Sequence, residues 1–396
     1  MRKQDFPQLR QNITYLDSAA TAPKPAAVLD AMRTFAETDY ANVHRGIYGI
    51  AARATDAYAK ARARVAQFVN AGTNETVFTK GATESINLVA ASWGRTNLQR
   101  GDHILLTALE HHANIVPWQM LAEEKGLIID VVPLEEDGNI TLATFERAVT
   151  PQTKLIACAH VSNVLGTVLP VADICKLARS KSIVTLIDGC QAVAHRPVDV
   201  KAIGCDFYVF SAHKLYGPSG IGALYGRTEL LNAMPPYQGG GDMIEHVTWQ
   251  KTTFREAPSR FEAGTPPIIE AVGFDAAIDY ITGIGFDKIM AHENALLALA
   301  TKELQKVPGL TIHGTAPGKE PIITFSIAGV QPYDLATLAD NFGVCLRVGM
   351  HCAEPLHTTL GVPATARVSF ALFNEEKDVQ QLVAAISKAC EMLKCA

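Results

Sequence analysis

Along the first two-thirds of the chain, short apolar runs alternate with stretches whose apolar residues recur every three or four positions. The runs at 76–78, 104–106, 128–132, 155–159, 183–187 and 207–210 read as strands. Between them lie helical patterns. Tyr58, Ala61, Val65 and Phe68 mark a helix predicted over 51–70, and 118–124 and 171–179 read the same way. Strand and helix in alternation imply crossover units, and hence an α/β fold with a mostly parallel sheet flanked by helices on both faces.

After a further short run at 223–225 the rhythm changes. Pro235-Pro236 and Gly239-Gly240-Gly241 open a long segment, predicted irregular, that closes at Gly264-Thr265-Pro266-Pro267. A connection of that length inside a compact protein is usually functional. Beyond it, helices are predicted at 268–281 and 294–307 and short strands at 322–325 and 367–369. A final helix carries Val379, Leu382, Val383 and Ile386. A chain of 396 residues exceeds what one simple core holds. The expected division is a large domain over 16–258 and a smaller α/β domain built from 1–15 and 259–396.

Composition narrows the function classes. The formal net charge is −5, with 35 basic and 40 acidic residues, and no run of five like charges occurs. A surface made to grip nucleic-acid phosphates is not expected. No apolar run approaches the length of a membrane span, and the N-terminus lacks the apolar stretch of a secretory signal. The eight cysteines include no CxxC pair, so most are expected reduced, several as small buried groups, in a cytoplasmic enzyme.

The chemistry centres on Ser211-Ala212-His213-Lys214-Leu215-Tyr216-Gly217-Pro218, which follows a predicted strand. A lysine there is an ordinary surface charge unless other groups join it. Asp188 is such a group, at the C-terminal end of another strand, where open α/β sheets bind ligands. Amine and carboxylate together suit pyridoxal 5'-phosphate: the amine forms a Schiff base, and the carboxylate keeps the pyridine nitrogen protonated. The phosphate needs an anion cradle, and the run 78–87 goes from strand through a glycine turn into a helix start containing Ala82 and Thr83. Thr83 reads equally well as a plain helix cap. In Glu110-His111-His112-Ala113-Asn114 an imidazole is placed to stack on a flat ring, or to serve structure alone.

In this order the segments TKGATESIN, EHHANIVPWQ, HVSNVLGT, IDGCQAV, DFYVFSAHKLYGPSGIG and RFEAGTP resemble the class V aminotransferase family of fold-type I pyridoxal-phosphate enzymes. Tyr15-Leu16-Asp17-Ser18-Ala19-Ala20 and Asn42-Val43-His44-Arg45-Gly46 match as well, so the likeness spans essentially the whole chain. Within the family it is closest in pattern to the group II cysteine desulfurases. The resemblance implies Lys214 as the Schiff-base lysine, Asp188 against the pyridine nitrogen, Gln191 on the ring hydroxyl, and His111 stacked on the ring. Thr83, Ser211 and His213, with the backbone at Ala82, are implied to hold the phosphate. Thr265 is implied to reach it from the second subunit of a homodimer. Asn163 is implied beside the substrate, with Arg367 clamping its carboxylate and Arg347 nearby.

The segment Arg347-Val348-Gly349-Met350-His351-Cys352-Ala353 is similar to the RxGxxC motif of that group, whose cysteine accepts sulfur. The plain alternative is one more buried cysteine. Glycine before it and Ala-Glu-Pro after it favour an irregular loop, and Arg347 and His351 are expected to supply positive charge that favours thiolate. The implied reaction converts L-cysteine to L-alanine, leaves a persulfide on Cys352, and passes the sulfur to an acceptor protein, as in iron–sulfur cluster assembly. Met350, Tyr48, Ala82 and Cys190 depart from the residues common in relatives, and none removes a group the chemistry needs. Other readings are a selenocysteine lyase on the same fold, a plain aminotransferase, and a non-catalytic sulfur-relay subunit. A metal site is not expected, since His351 and Cys352 have no companions in sequence.

Overall fold

The computed structural model describes residues 3–11, 13–44 and 46–393. Arg45 of the matched motif and Cys395 lie outside the described residues, as do positions 1, 2 and 12 of the N-terminal segment.

Seven strands form the large sheet. Across it the order is Thr76–Thr79, Gly222–Gly226, Phe207–Ser211, Val184–Asp188, Thr153–Ala159, His103–Thr107 and Ile128–Val132. The last five pair in parallel, while Gly222–Gly226 runs antiparallel to both its neighbours. Two antiparallel steps restore direction, so Thr76–Thr79 also ends at the edge where the parallel strands end. Side chains alternate along each strand between two cores. Ile156, Cys158, Ile187, Tyr208 and Phe210 pack into one. Leu155, Ala157, Leu186, Phe207 and Val209 pack into the other. Burial on both faces is why these strands read as continuous apolar runs.

A second, antiparallel sheet has the order Leu310–His313, Ile322–Ile327, Thr365–Ser369, Arg347–Gly349. Its core takes Ile323, Phe325, Ala366 and Val368 against Leu382 and Ile386 of the final helix Glu376–Met392. Thr14–Tyr15 pairs with Val344–Cys345 beside this sheet, and Lys3 bonds Asp378 at 3.1 Å. Helix Ile268–Ile284 lies on the C-terminal side of the boundary expected at 258/259. Nevertheless its Ala271, Phe274, Ile278 and Ile281 join the large-sheet core with Tyr58 and Phe210.

Two expectations about elements need correction. The segment from 235 to 267 is not irregular throughout. It contains a hairpin, Ile244–Val247 with Thr252–Phe254, and a 3-10 turn Ser259–Phe261. The hairpin exposes Val247, Trp249 and Phe254, so no buried face imprints an alternating pattern on its sequence. The helix expected at 294–307 spans Phe286–Leu304, beginning where Gly285 turns the chain at φ 91°.

Candidate functional site

Because the parallel strands end at one edge, the residues that follow them meet there. Asp188 closes Val184–Asp188, Lys214 ends the turn after Phe207–Ser211, His111 follows His103–Thr107, and Asn163 follows Thr153–Ala159. Together they line a cleft of about 410 Å³. Ala82, Thr83, Ser211 and His213 line the same cleft, and so do Arg347, Arg367 and Cys352 from the second sheet's side. Two expected residues do not. Gln191 is buried, its side-chain amide donating to Ala19 C=O at 2.8 Å. Thr265 is exposed on the surface of the single chain.

At the turn after Thr76–Thr79, Gly81 precedes helix Ala82–Val89 at φ 153° and offers no side-chain cap. Thr83 is therefore not the cap; it sits one turn-position inside the helix, exposed to the cleft. Ala82 N–H donates to Ser211 Oγ at 2.9 Å, tying this turn to the lysine-bearing strand. The approach is closer still at Gly222, where an added Cβ would lie 2.6 Å from both Gly81 Cα and Phe210 O. Only glycine permits it.

His111 is a neutral ring. Burial first, and then the charge of Lys214, push its pKa down to about 4, with Asp188 pulling the other way. Its Nδ1 accepts from Ala113 N–H at 3.0 Å, which leaves the proton on Nε2. Its neighbour in the chain, Glu110, is wholly buried, accepting from Asn114 at 2.7 Å, Ala159 N–H at 3.0 Å and the Thr107 hydroxyl. Burial pushes Glu110 up to about 7. Sequence reasoning passed over Glu110. A carboxylate adjoining a candidate imidazole was the available signal.

The far end of the cleft is cationic. Arg347 and Arg367 stand directly opposite in adjacent strands, an arrangement that like charges disfavour unless an anion lies between them. Asp17 supplies one: Arg367 Nη2 is 3.0 Å from Oδ1, and Arg347 Nη1 is 3.9 Å from Oδ2. Arg367 Nη1 donates to Asn163 C=O at 2.8 Å, while its buried Nε has no partner. Two guanidiniums facing one carboxylate leave a positive charge, and the Nε–Nη2 edge is the geometry that takes a carboxylate two-pronged. In sequence Asp17 stands only within a matched motif, since nothing local shows that it returns to Arg367.

Cys352 is exposed at the cleft wall, between strand Arg347–Gly349 and helix Glu354–Leu360. Its C=O accepts from His112 N–H at 2.7 Å, and Asn163 Nδ2 donates to His351 C=O at 2.8 Å. The positive charge expected of His351 is absent. Its ring is buried against Thr365 and near Arg367, which pushes its pKa down to about 2 and keeps it neutral. Of the two groups expected to charge the loop, Arg347 keeps its cation, and Arg367 adds a second beside Cys352.

The residues present fit pyridoxal phosphate: an amine, a carboxylate at the sheet edge, a neutral flat imidazole, and a glycine-built turn at a helix N-terminus.

Comparison with known proteins agrees with this reading. The family described as Aminotransferase class-V matches residues 14–382. The chain is 46% identical to a cysteine desulfurase of Dickeya dadantii, over 98% of its own length and 96% of the relative's. It superposes on the cysteine desulfurase CsdA of Escherichia coli, solved in an S-sulfonic acid form, with TM-score 0.93 and 40% identity over 98% of each chain. C-DES, solved with glycine covalently linked to its PLP cofactor, shares the fold at TM-score 0.84 and 23% identity, with 97% and 98% of the two chains covered. The chain thus belongs to the class V aminotransferase family of pyridoxal-phosphate-dependent proteins, and within it to the cysteine desulfurases.

Proposed function

We propose that this cysteine desulfurase takes sulfur from L-cysteine onto Cys352, with Lys214, Asp188 and His111 serving the cofactor and Arg367 the substrate carboxylate. One observation carries the reading: a lysine–carboxylate–imidazole group and an exposed cysteine flanked by two arginines share one cleft. Pyridoxal phosphate, when bound, would withdraw electrons from the substrate Cα. Ala82, Thr83, Ser211 and His213 would hold its phosphate, with Thr265 contributed by the partner of a homodimer.

In this scheme Arg367, offering Nε and Nη2, fixes the carboxylate of cysteine, and the Lys214 amine removes the Cα proton. The Cys352 thiolate then attacks the substrate sulfur. An S–S bond forms, the Cβ–S bond breaks with its electron pair left on carbon, protonation there gives the methyl group, and return of a proton to Cα completes alanine. The persulfide waits on an exposed residue, within reach of an acceptor protein. Cys158, Cys175, Cys190, Cys205, Cys345 and Cys352 carry free thiols, the state a reducing compartment such as the cytoplasm maintains. No helix among the described residues is long and apolar enough to cross a membrane.

The test mixes the holoenzyme with L-cysteine and a thiol and measures alanine and sulfide together. Cys352→Ala is expected to keep the cofactor absorption yet form no persulfide. Persulfide formed by that variant at the normal rate would refute the assignment.

A further inference from the structure

Cys352 and His351 both adopt positive φ, 56° and 50°. Side chains other than glycine's persist in that region only where the surroundings fix them. One anchor is His112, whose N–H donates to Cys352 C=O and whose Nε2 accepts from Glu354 N–H at 3.0 Å. A second set of contacts approaches from the opposite side.

His357 Nδ1 lies 3.1 Å from Ala353 C=O. A carbonyl only accepts, so this nitrogen carries the proton. Burial holds the ring below the ordinary histidine range and neutral, so Nε2 is a bare acceptor. Thr365 Oγ1 stands 3.0 Å from it and donates its single proton there. The same oxygen is 2.9 Å from His351 Nε2 and must accept from it. His351 Nδ1 is left without a proton, and it is indeed buried with no partner. The chain His351–Thr365–His357–Ala353 therefore closes around Cys352. It holds the preceding residue by its ring and the following residue by its carbonyl. Thr365 itself is fully buried in strand Thr365–Ser369, paired with Gly349.

We propose that Thr365 is the positioning residue for Cys352: its hydroxyl, shared between His351 and His357, closes a clamp that holds the thiol in the left-handed conformation facing the substrate sulfur. The clamp rests on the reading of Cys352 as sulfur acceptor. Without the hydroxyl, the two rings lose their common partner, and the loop relaxes toward ordinary backbone angles while the cofactor end of the cleft is untouched.

The experiment is single-turnover persulfide formation in holoenzyme carrying Thr365→Val, Thr365→Ser or His357→Leu. A nucleophile displaced by about 1 Å slows by roughly 100-fold, and the valine and leucine variants are expected to approach that loss. Their cofactor absorption, and its change on adding L-cysteine, stay as in wild type; a merely structural defect would move both. Thr365→Ser keeps the hydroxyl and restores most of the rate. A wild-type rate in Thr365→Val, or equal loss in the valine and serine variants, overturns the clamp. If neither the valine nor the leucine variant folds, nitrogen-15 NMR of the wild-type histidines decides. His351 protonated on Nε2 and His357 on Nδ1 support the clamp, and the reverse tautomers overturn it. Persulfide in Cys352→Ala overturns the nucleophile reading and the clamp with it, whereas a silent Cys352→Ala beside a wild-type Thr365→Val overturns the clamp alone.

Discussion

Glu262, two residues before Gly264 in the turn that leads to Thr265, joins parts of the chain about 200 residues apart. Arg62 Nη1 and Nη2 donate to its two oxygens at 2.6 and 2.7 Å. Phe78 N–H donates to Oε1 at 2.7 Å and the Tyr58 hydroxyl to Oε2 at 3.0 Å. Both partners are nearly withdrawn from water, with side-chain exposures of 12% and 11%, and Arg62 also lies over the Phe78 ring at 4.8 Å. Glu262→Gln keeps one acceptor oxygen but aims an amide N–H at Arg62 Nη2, and it leaves a buried guanidinium without its counter-charge. Breaking one side of a buried pair costs about 3–5 kcal/mol, while replacing both partners by apolar groups costs far less. Urea unfolding, followed by fluorescence and circular dichroism, should show a lower midpoint for Glu262→Gln at unchanged slope. The double variant Arg62→Met with Glu262→Met should fall between wild type and Glu262→Met alone. A loss under about 1 kcal/mol for Glu262→Gln, well below the range for broken buried pairs, would show that the pair is screened and the reasoning wrong. So would a double variant weaker than Glu262→Met.

Gly222→Ala places a methyl 2.6 Å from Gly81 Cα and Phe210 O; both neighbours are backbone with no side chain to swing aside, so the phosphate turn should shift. Titration of apoenzyme with pyridoxal phosphate, read by absorbance, should show weaker binding, and unchanged affinity would argue against the cradle. His111 has a depressed pKa in the folded chain, about 4 against 6.5 for the ordinary ring. Between those values the unfolded chain binds a proton that the folded one does not, so this stabilisation is complete above about pH 6.5 and is lost as pH falls toward 4. His111→Gln should flatten the dependence of the urea midpoint on pH across that window. A slope equal to wild type would place His111 in a more hydrated setting than its burial implies.

Much of the site was legible because its signals are local. Lys214, Asp188 and His111 each lie at or just beyond the end of a strand that apolar runs reveal, and a parallel sheet brings such strand ends to one edge whatever the remaining details; Asn163 was implied by the family resemblance alone. The cysteine loop was visible as glycine and proline around Arg347 and Cys352. What periodicity could not carry were contacts made by chain return. Asp17 between two arginines and Glu262 under Arg62 join residues hundreds apart in sequence, Thr365 between two histidines joins a strand to the loop and helix before it, and each rests on burial that only packing creates. The same burial reversed one expectation. His351 read as a positive neighbour of Cys352, but an imidazole desolvated beside arginines stays neutral. The hairpin at 244–254 was missed for the opposite reason, since a solvated strand pair carries little hydrophobic pattern to read. Sequence alone therefore determined the two-faced sheet and which groups stand at strand ends, because local propensity and alternation encode them. Only the tertiary structure decided which charges survive, which protons are held, and how the exposed Cys352 is kept in place, because those follow from desolvation and from partners brought together by folding.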